Sequence, residues 1–361
     1  MAEHISSHAS NPSDMTSTIK DSARSEPGAS RPHPSIDART VQHYLTLYED
    51  HLTDVGNAGL FITLHRPRLK YISAWGCWAA WDGQRWNVHQ PGLLTSLARE
   101  TIDHYAVMAA ALPNTESDRA RRLLQHAEAC STRHRIQTML DLASQDPSIQ
   151  AEPDEFDRHP FLLNVANGTL DLLTGKLSPH DPAHLLTRCC PIAYDQEARS
   201  PQWLSFIEAC VDNEPEYRRY LQVAAGYSLT GSTQQDAFFL LHGPGRNGKT
   251  TFLEALAYVL GDYVLRLPIT ALHQARAQTD LRVNASALTG RRLLFLTETA
   301  PDQQLSLSTL KRLTSGEPLF LPPERAGQPP QPFHPICKLW LATNHLPRIP
   351  EQTPAIWRRL K

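Results

Sequence analysis

Large apolar residues are nearly absent from residues 1–40, where Ser, His, Pro, Ala and charged residues mix without any period. Such a stretch cannot bury enough surface to offset its ordering entropy, so a disordered tail is expected there. Residues 71–88 then carry four tryptophans, Trp75, Trp78, Trp81 and Trp86, in short apolar runs around Asp82-Gly83. An Asp-Gly pair between aromatic runs predicts a β-hairpin. Two stretches of helical period follow, 93–112 and 117–143, the second amphipathic with Arg119, Arg121, Arg122, Arg133 and Arg135 at polar positions. Pro147 and Pro153 break that pattern. Residues 161–172 predict two short strands joined at Asn167-Gly168, and a Pro-rich connector leads to Trp203.

Beyond Trp203 the pattern alternates. Helical stretches over 203–212 and 215–230 precede an apolar strand at 237–242, a helix at 249–260, and buried strands at 292–297 and 338–343. Strands alternating with helices predict a parallel sheet covered by helices on both faces. The expected organisation is a tail (1–40), a smaller mixed α+β domain (41–205) and an α/β domain (206–361).

Residues 243–250 read GPGRNGKT, a full match to G-x-x-x-x-G-K-[ST], and they lie between the 237–242 strand and the 249–260 helix. That strand–loop–helix setting gives the pattern its physical meaning. Gly243, Gly245 and Gly248 let the backbone curl around Pro244 so that the N–H groups of Gly245, Arg246, Asn247 and Gly248 and of the following helix start face phosphate oxygens. Lys249 reaches the β/γ-phosphates, Thr250 offers a hydroxyl to Mg²⁺, and Thr251 extends the cradle. The expected ligands are therefore ATP and Mg²⁺. Fifty residues on, the 292–297 strand ends in Glu298, placed to join the Mg²⁺ shell or polarise the attacking water. The 338–343 strand ends in Asn344, whose amide can orient that water. Arg358 and Arg359 offer guanidinium groups further on. No N-K-x-D guanine signature is present, which argues against a GTPase.

Composition narrows the picture only slightly. The net charge of −2 points to no polyanionic partner, so any nucleic-acid surface must be local. The tryptophans invite a base-stacking role, but a hairpin core is the commoner use of buried aromatic area. The arginine-bearing helix at 117–143 reads first as a solvated face. Six cysteines lack zinc or redox spacing, and Cys189 and Cys190 read as one buried and one half-exposed thiol. No apolar run approaches a membrane span and no signal core opens the chain, so a cytoplasmic protein is expected.

The later blocks carry a resemblance. Residues 311–314 (KRLT), Phe333, 338–347 (KLWLATNHLP) and 355–359 (AIWRR) resemble the poxvirus-type and phage/plasmid-type primase–helicases, superfamily 3 helicases of the AAA+ class. Upstream, residues 53–58 (TDVGNA), 81–86 (WDGQRW) and 164–172 (NVANGTLDL) resemble that family's helicase-associated N-terminal region. The resemblance implies an AAA+ (ASCE) P-loop fold and an ATP-driven ring, usually a hexamer, that moves on single-stranded DNA alongside replication proteins. It gives Gly243, Gly248, Lys249 and Thr250 the Walker A roles, Glu298 the Walker B role and Asn344 the sensor role. Arg358 becomes the arginine finger, with Arg359 as alternate. Lys311 and Arg325 are its DNA-contact candidates, although prolines crowd the expected basic hairpin at 322–330. The family's primase unit does not fit within the tail, and its members continue beyond the finger. A shortened, non-catalytic nucleic-acid- or partner-binding remnant is therefore the alternative expectation.

Overall fold

A computed structural model of the chain describes residues 43–44, 46–47, 51–88, 90–268, 285–297, 307–321, 331–346 and 354–361. The expected tail lies outside them. The N-terminal region begins with helix α1 (Asp54–His65), capped by the Thr53 hydroxyl, which accepts from the Gly56 N–H at 3.1 Å. An antiparallel sheet follows, β1 (Leu69–Ile72), β2 (Cys77–Trp81) and β3 (Trp86–Val88). Asp82 shapes the expected β2–β3 turn by accepting from the N–H groups of Gln84 and Arg85, both at 2.9 Å. Trp75 and Trp86 are buried with Ile72 and Phe156, so these tryptophans build a core.

Helices α2 (Pro91–Ala111), α3 (Ser117–Cys130) and α4 (Arg133–Ala143) complete a bundle around α1. The single helix expected over 117–143 is in fact two. Ser131 and Thr132 interrupt it, and the Thr132 hydroxyl caps α4 by accepting from the Arg135 N–H, a role that draws Thr out of helix interiors. A second antiparallel sheet comprises β4 (Leu162–Val165), β5 (Gly168–Asp171) and β6 (Leu177–Ser178). Cys189 and Cys190 are both buried, which corrects the half-exposed expectation, and burial pushes their thiols up to about 11 and about 12.

The second half runs α5 (Pro201–Cys210), α6 (Pro215–Leu229), β7 (Phe238–His242), α7 (Lys249–Leu260), β8 (Val264–Pro268), α8 (Ala285–Leu288), β9 (Leu293–Thr297), α9 (Leu307–Thr314), β10 (Leu319–Leu321), β11 (Gln331–Phe333), β12 (Lys338–Thr343) and α10 (Pro354–Arg359). Four of these strands form a parallel sheet in the order β7-β12-β9-β8. Alternate residues divide between its faces, as period 2 demands. Phe239, Trp340, Phe295 and Leu293 meet Phe252, Leu253 and Leu260 of α7 on one side. Phe238, Leu339, Leu341, Leu294 and Leu296 meet Leu288, Leu310 and Leu313 of α8 and α9 on the other. Helices thus cover both faces. Residues 360–361 run parallel along the outer edge of β7, with Lys361 N–H donating to Phe238 O and Leu240 N–H donating to Lys361 O, both at 2.9 Å.

Two buried cations stand at the entrance of the sheet strands. Arg292 donates to the carbonyls of Leu229 and Leu162 and lies 4.7 Å from the centre of the Tyr263 ring. Lys338 donates to the carbonyls of Thr230 and Ile336 and lies 4.7 Å from the Tyr227 ring. Because Leu162 belongs to β4, Arg292 ties the N-terminal region to the sheet. Burial, reinforced by the nearby Arg292 charge, holds Lys338 down from the ordinary 10.5 to about 7.

An amine whose folded-state value lies below its unfolded value binds fewer protons when folded. Stability therefore rises with pH across the interval between them. Cys189, Cys190 and Cys337, all pushed upward by burial, act in the opposite sense above about pH 9. Between pH 7 and 9, the unfolding free energy of the native chain should climb relative to that of Lys338→Met, with a slope of up to about 1.4 kcal/mol per pH unit. Denaturant titrations of both proteins at four pH values measure it, and parallel curves would rule out a neutral buried amine.

Candidate functional site

The phosphate-type loop occupies the carboxyl edge of the parallel sheet, where α/β folds place their ligand crevices. Strand β7 delivers the chain to Gly243, and α7 begins at Lys249 with Gly248 as its N-cap. Between them the backbone turns through left-handed conformations at Arg246 (φ 63°) and Gly248 (φ 83°). Gly248 is required here twice over, by its φ and because an added Cβ would lie 2.3 Å from Cys210 Sγ of α5. Helix α5 braces the loop from behind, its Trp203 ring stacked on Phe252 of α7 at 5.9 Å.

Among the described residues, nothing accepts from the main-chain N–H groups of Gly245, Arg246 and Gly248, while Asn247 closes the turn begun at Pro244. Unpaired amides leading into a helix start form a nest for an anion. Lys249 curls over the same loop, its ammonium donating to Gly243 O at 2.8 Å, Pro244 O at 3.0 Å and Asn247 Oδ1 at 2.7 Å. Partial desolvation holds that amine below the ordinary lysine value. A cation parked on neutral acceptors can exchange them for charged phosphate oxygens, which make stronger bonds. Thr250 and Thr251 occupy the first turn of α7 and are exposed.

The sheet register brings Asn344 to this place. Thr343 pairs with His242, so Asn344 leaves β12 beside Gly243. The buried Thr343 hydroxyl fixes that exit by donating to His345 O at 2.7 Å and accepting from His345 N–H at 3.0 Å. Strand β9 ends alongside, with Thr297 paired to Ala342. Glu298, the next residue, and Arg325 both lie outside the described residues. Of the two expected Mg²⁺ ligands, therefore, only Thr250 is described, and no cluster of three His, Cys, Asp or Glu side chains suited to a metal occurs among the described residues. Lys311 sits on α9, away from the loop in sequence and half-buried.

Arg358 and Arg359 do not join the loop of their own chain. Both approach Asp236, at 3.7 and 3.1 Å, just before β7. That is the opposite end of a five-residue strand, roughly 16 Å long at ~3.3 Å per residue. The two also differ sharply. The Arg358 side chain is 71 % exposed and that of Arg359 only 14 %.

Two blocks of the N-terminal region converge on the sheet. Asn164 donates its side-chain amide to Gln84 O at 2.6 Å, and its main-chain N–H donates to the Tyr263 hydroxyl at 3.1 Å. Arg85 pairs with Asp262. The sequence offered these residues as separate motifs with no sign that they meet.

Comparison with known proteins matches residues 58–212 to the family "D5 N terminal like" and residues 241–359 to a "Family of unknown function (DUF5906)". The chain belongs to the D5-like primase–helicase family of viruses and phages. Among D5-like relatives, "Putative helicase L207/L206" of Acanthamoeba polyphaga mimivirus is 25 % identical over 230 residues, covering 63 % of this chain and 23 % of that protein. "Putative primase C962R" of African swine fever virus (strain Badajoz 1971 Vero-adapted) is 28 % identical over 215 residues, covering 57 % and 22 % respectively. The match thus spans less than a quarter of either relative's length. The A form apo structure of the NrS-1 C terminal region is 10 % identical at a TM-score of 0.47, covering 80 % of this chain and 57 % of that one. That likeness is too loose to add to the assignment. No described helix of this D5-like chain is long and apolar enough to cross a membrane.

The contrast between two loop glycines provides a test of the nest. A methyl group added at Gly245 would meet nothing within 4 Å, whereas one added at Gly248 would meet a sulfur at 2.3 Å on a backbone of left-handed φ. Gly245→Ala should leave the melting temperature nearly unchanged. Gly248→Ala should lower stability by about 1–3 kcal/mol, read by thermal unfolding of both variants.

Proposed function

We propose that this chain is the ATP-hydrolysing motor of a phage- or plasmid-type replication primase–helicase, translocating on single-stranded DNA. In this reading residues 41–205 form the helicase-associated unit and residues 206–361 the superfamily 3 ATPase, of AAA+ (ASCE) type. The observation that carries the proposal is the loop itself: main-chain amides left unpaired among the described residues and a curled lysine at the carboxyl edge of a parallel sheet, with Asn344 alongside. The strand order adds support, because β12 lies between the loop strand and β9. This sets the expected sensor strand between the Walker A and Walker B strands.

The amides and Lys249 hold the β- and γ-phosphates, and Asn344 orients water at the loop's rim. Thr250 together with Glu298 would hold Mg²⁺, which when bound would neutralise charge on the transferring phosphoryl group. Arg358 is the finger. It is too far along β7 to serve its own loop and is exposed enough to serve a neighbour's, so the working form is a ring of several copies, a hexamer in the family pattern. Arg359, half-buried against Asp236, is the anchor that holds α10 to the sheet. Lys311 and Arg325 are the proposed DNA contacts.

Lys249→Ala should abolish ATP turnover, measured as phosphate release, while circular dichroism stays native. Turnover that survives this change would refute the motor. The specific rate should also rise with protein concentration. Arg358→Ala should flatten that rise and cut the plateau by about 10³-fold or more, whereas Arg359→Ala should chiefly lower the melting temperature. A rate independent of concentration down to the dilute monomer would exclude a finger supplied by a neighbour.

A further inference from the structure

A cleft of about 550 Å³ opens directly from the loop, between the α5–α6 pair and the end of β7. Its volume falls within the ~300–1,000 Å³ typical of small-molecule sites. Gly248 and Lys249 form one rim, so whatever fills the cleft is continuous with the phosphate nest. Val211 and Leu241 line it with apolar surface, and the rings of Tyr217 and Tyr220 stand along it. Asp212 and Glu214 supply acceptor-only carboxylates. The tyrosines have no core to serve, being 65 % and 43 % exposed.

The turn carrying the carboxylates is unusual. Asp212 (φ 49°) and Asn213 (φ 61°) are consecutive left-handed residues and neither is glycine. Asn213 N–H donates to Glu208 O at 2.9 Å, which locks the turn onto the end of α5. Strain of this kind persists where the surrounding structure enforces it, and it gathers at ligand clamps.

We propose that this cleft receives the base and ribose of the nucleotide whose phosphates occupy the 243–250 loop. The inference rests on the phosphate reading of that loop and extends it to the nucleoside. Tyr217 and Tyr220 stack on the base, a contact open to any base because every base has a π-face. Asp212 and Glu214 accept from ribose hydroxyls or from an exocyclic amine. Away from His242, Asn247 and Lys249 at the loop end, the remaining walls are mainly apolar, so the site grips the nucleoside mainly by stacking and reads base identity only weakly.

The test separates nucleoside from phosphate. Binding of ATP and of inorganic tripolyphosphate to the full chain is measured by calorimetry with Mg²⁺, for the native protein and for Tyr217→Ala/Tyr220→Ala. The expected result is ATP binding weakened about 10- to 100-fold in the double variant with tripolyphosphate binding unchanged. Unchanged ATP affinity alongside normal tripolyphosphate binding overturns the nucleoside cleft and leaves the loop reading intact. Tripolyphosphate that fails to bind the native protein overturns the loop reading first. A second measurement needs no variant. Cys210 lines the same cleft, and it is the one cysteine of the six that is not buried. Maleimide labelling of Cys210 should slow at least fivefold more under saturating ATP than under saturating tripolyphosphate, and equal slowing counts against the proposal.

Discussion

A parallel sheet buried on both faces tolerates one register only, and the rest of this molecule follows from that. Each strand sends alternate side chains to opposite cores, so a slip of one residue would exchange the two faces. Here Phe239, Trp340 and Phe295 must face α7 while Leu339, Leu341 and Leu294 face α8 and α9. Trp340 sharpens the constraint. Its ring stacks on Phe239 at 4.4 Å and its indole N–H donates to the Ser228 hydroxyl at 2.9 Å, a partner available at only one height along the strand. Fixing those pairs also fixes His242, Thr343 and Thr297 at a common edge. The loop and Asn344 then meet as a consequence of core packing.

The opposite edge solves a different problem. Where strands enter the sheet, the carbonyls ending α6 and those of β4 are turned inward, and buried carbonyls need donors. Arg292, just before β9, and Lys338, the first residue of β12, supply them. The arrangement is costly for charge, which is why Lys338 is depressed toward neutrality while Arg292 spreads its charge over two carbonyls and the Tyr263 ring. Asp157, fully buried nearby, has its carboxyl pushed up by burial against the opposing pull of the Thr187 hydrogen bonds. This polar seam joins the N-terminal region to the sheet, so motion between them would have to break ionic and hydrogen-bonded contacts at Arg85, Asn164 and Arg292.

Much of this was legible in the sequence, for specific reasons. The strands at 238–242, 293–297 and 338–343 are continuous apolar runs, the signature of burial on both faces, and the loop between the first of them and α7 is a motif with its own chemistry. Helix α1 was not legible, because DVGNAGLFITLH holds two glycines and an asparagine and is buried nearly all round, so no amphipathic period shows. Strand β8 was hidden because VLRLP carries an arginine and a proline, tolerable at an edge strand paired on one side only. The break at Ser131-Thr132 was missed because the arginine pattern runs through it. The meeting of Gln84, Asn164 and Tyr263 depends on contacts between residues some 80 to 100 positions apart, which no local pattern encodes.

The two arginines of α10 show how placement can separate roles that sequence leaves equal. Side by side in AIWRR, either one could complete a neighbour's pocket. The helix turns them about 100° apart, and Asp236 meets the inner one at 3.1 Å while the outer one, 3.7 Å from the same carboxylate, stays largely in solvent. Holding Arg359 by an ion pair also pins residues 360–361 along β7. The exposed Arg358 is thereby presented from a fixed base rather than from a loose end. A group that must reach across an interface gains by such anchoring, because less conformational freedom remains to be lost when it docks. The sheet edge and the Asp236–Arg359 pair thus act as one unit, from which the Arg358 guanidinium projects.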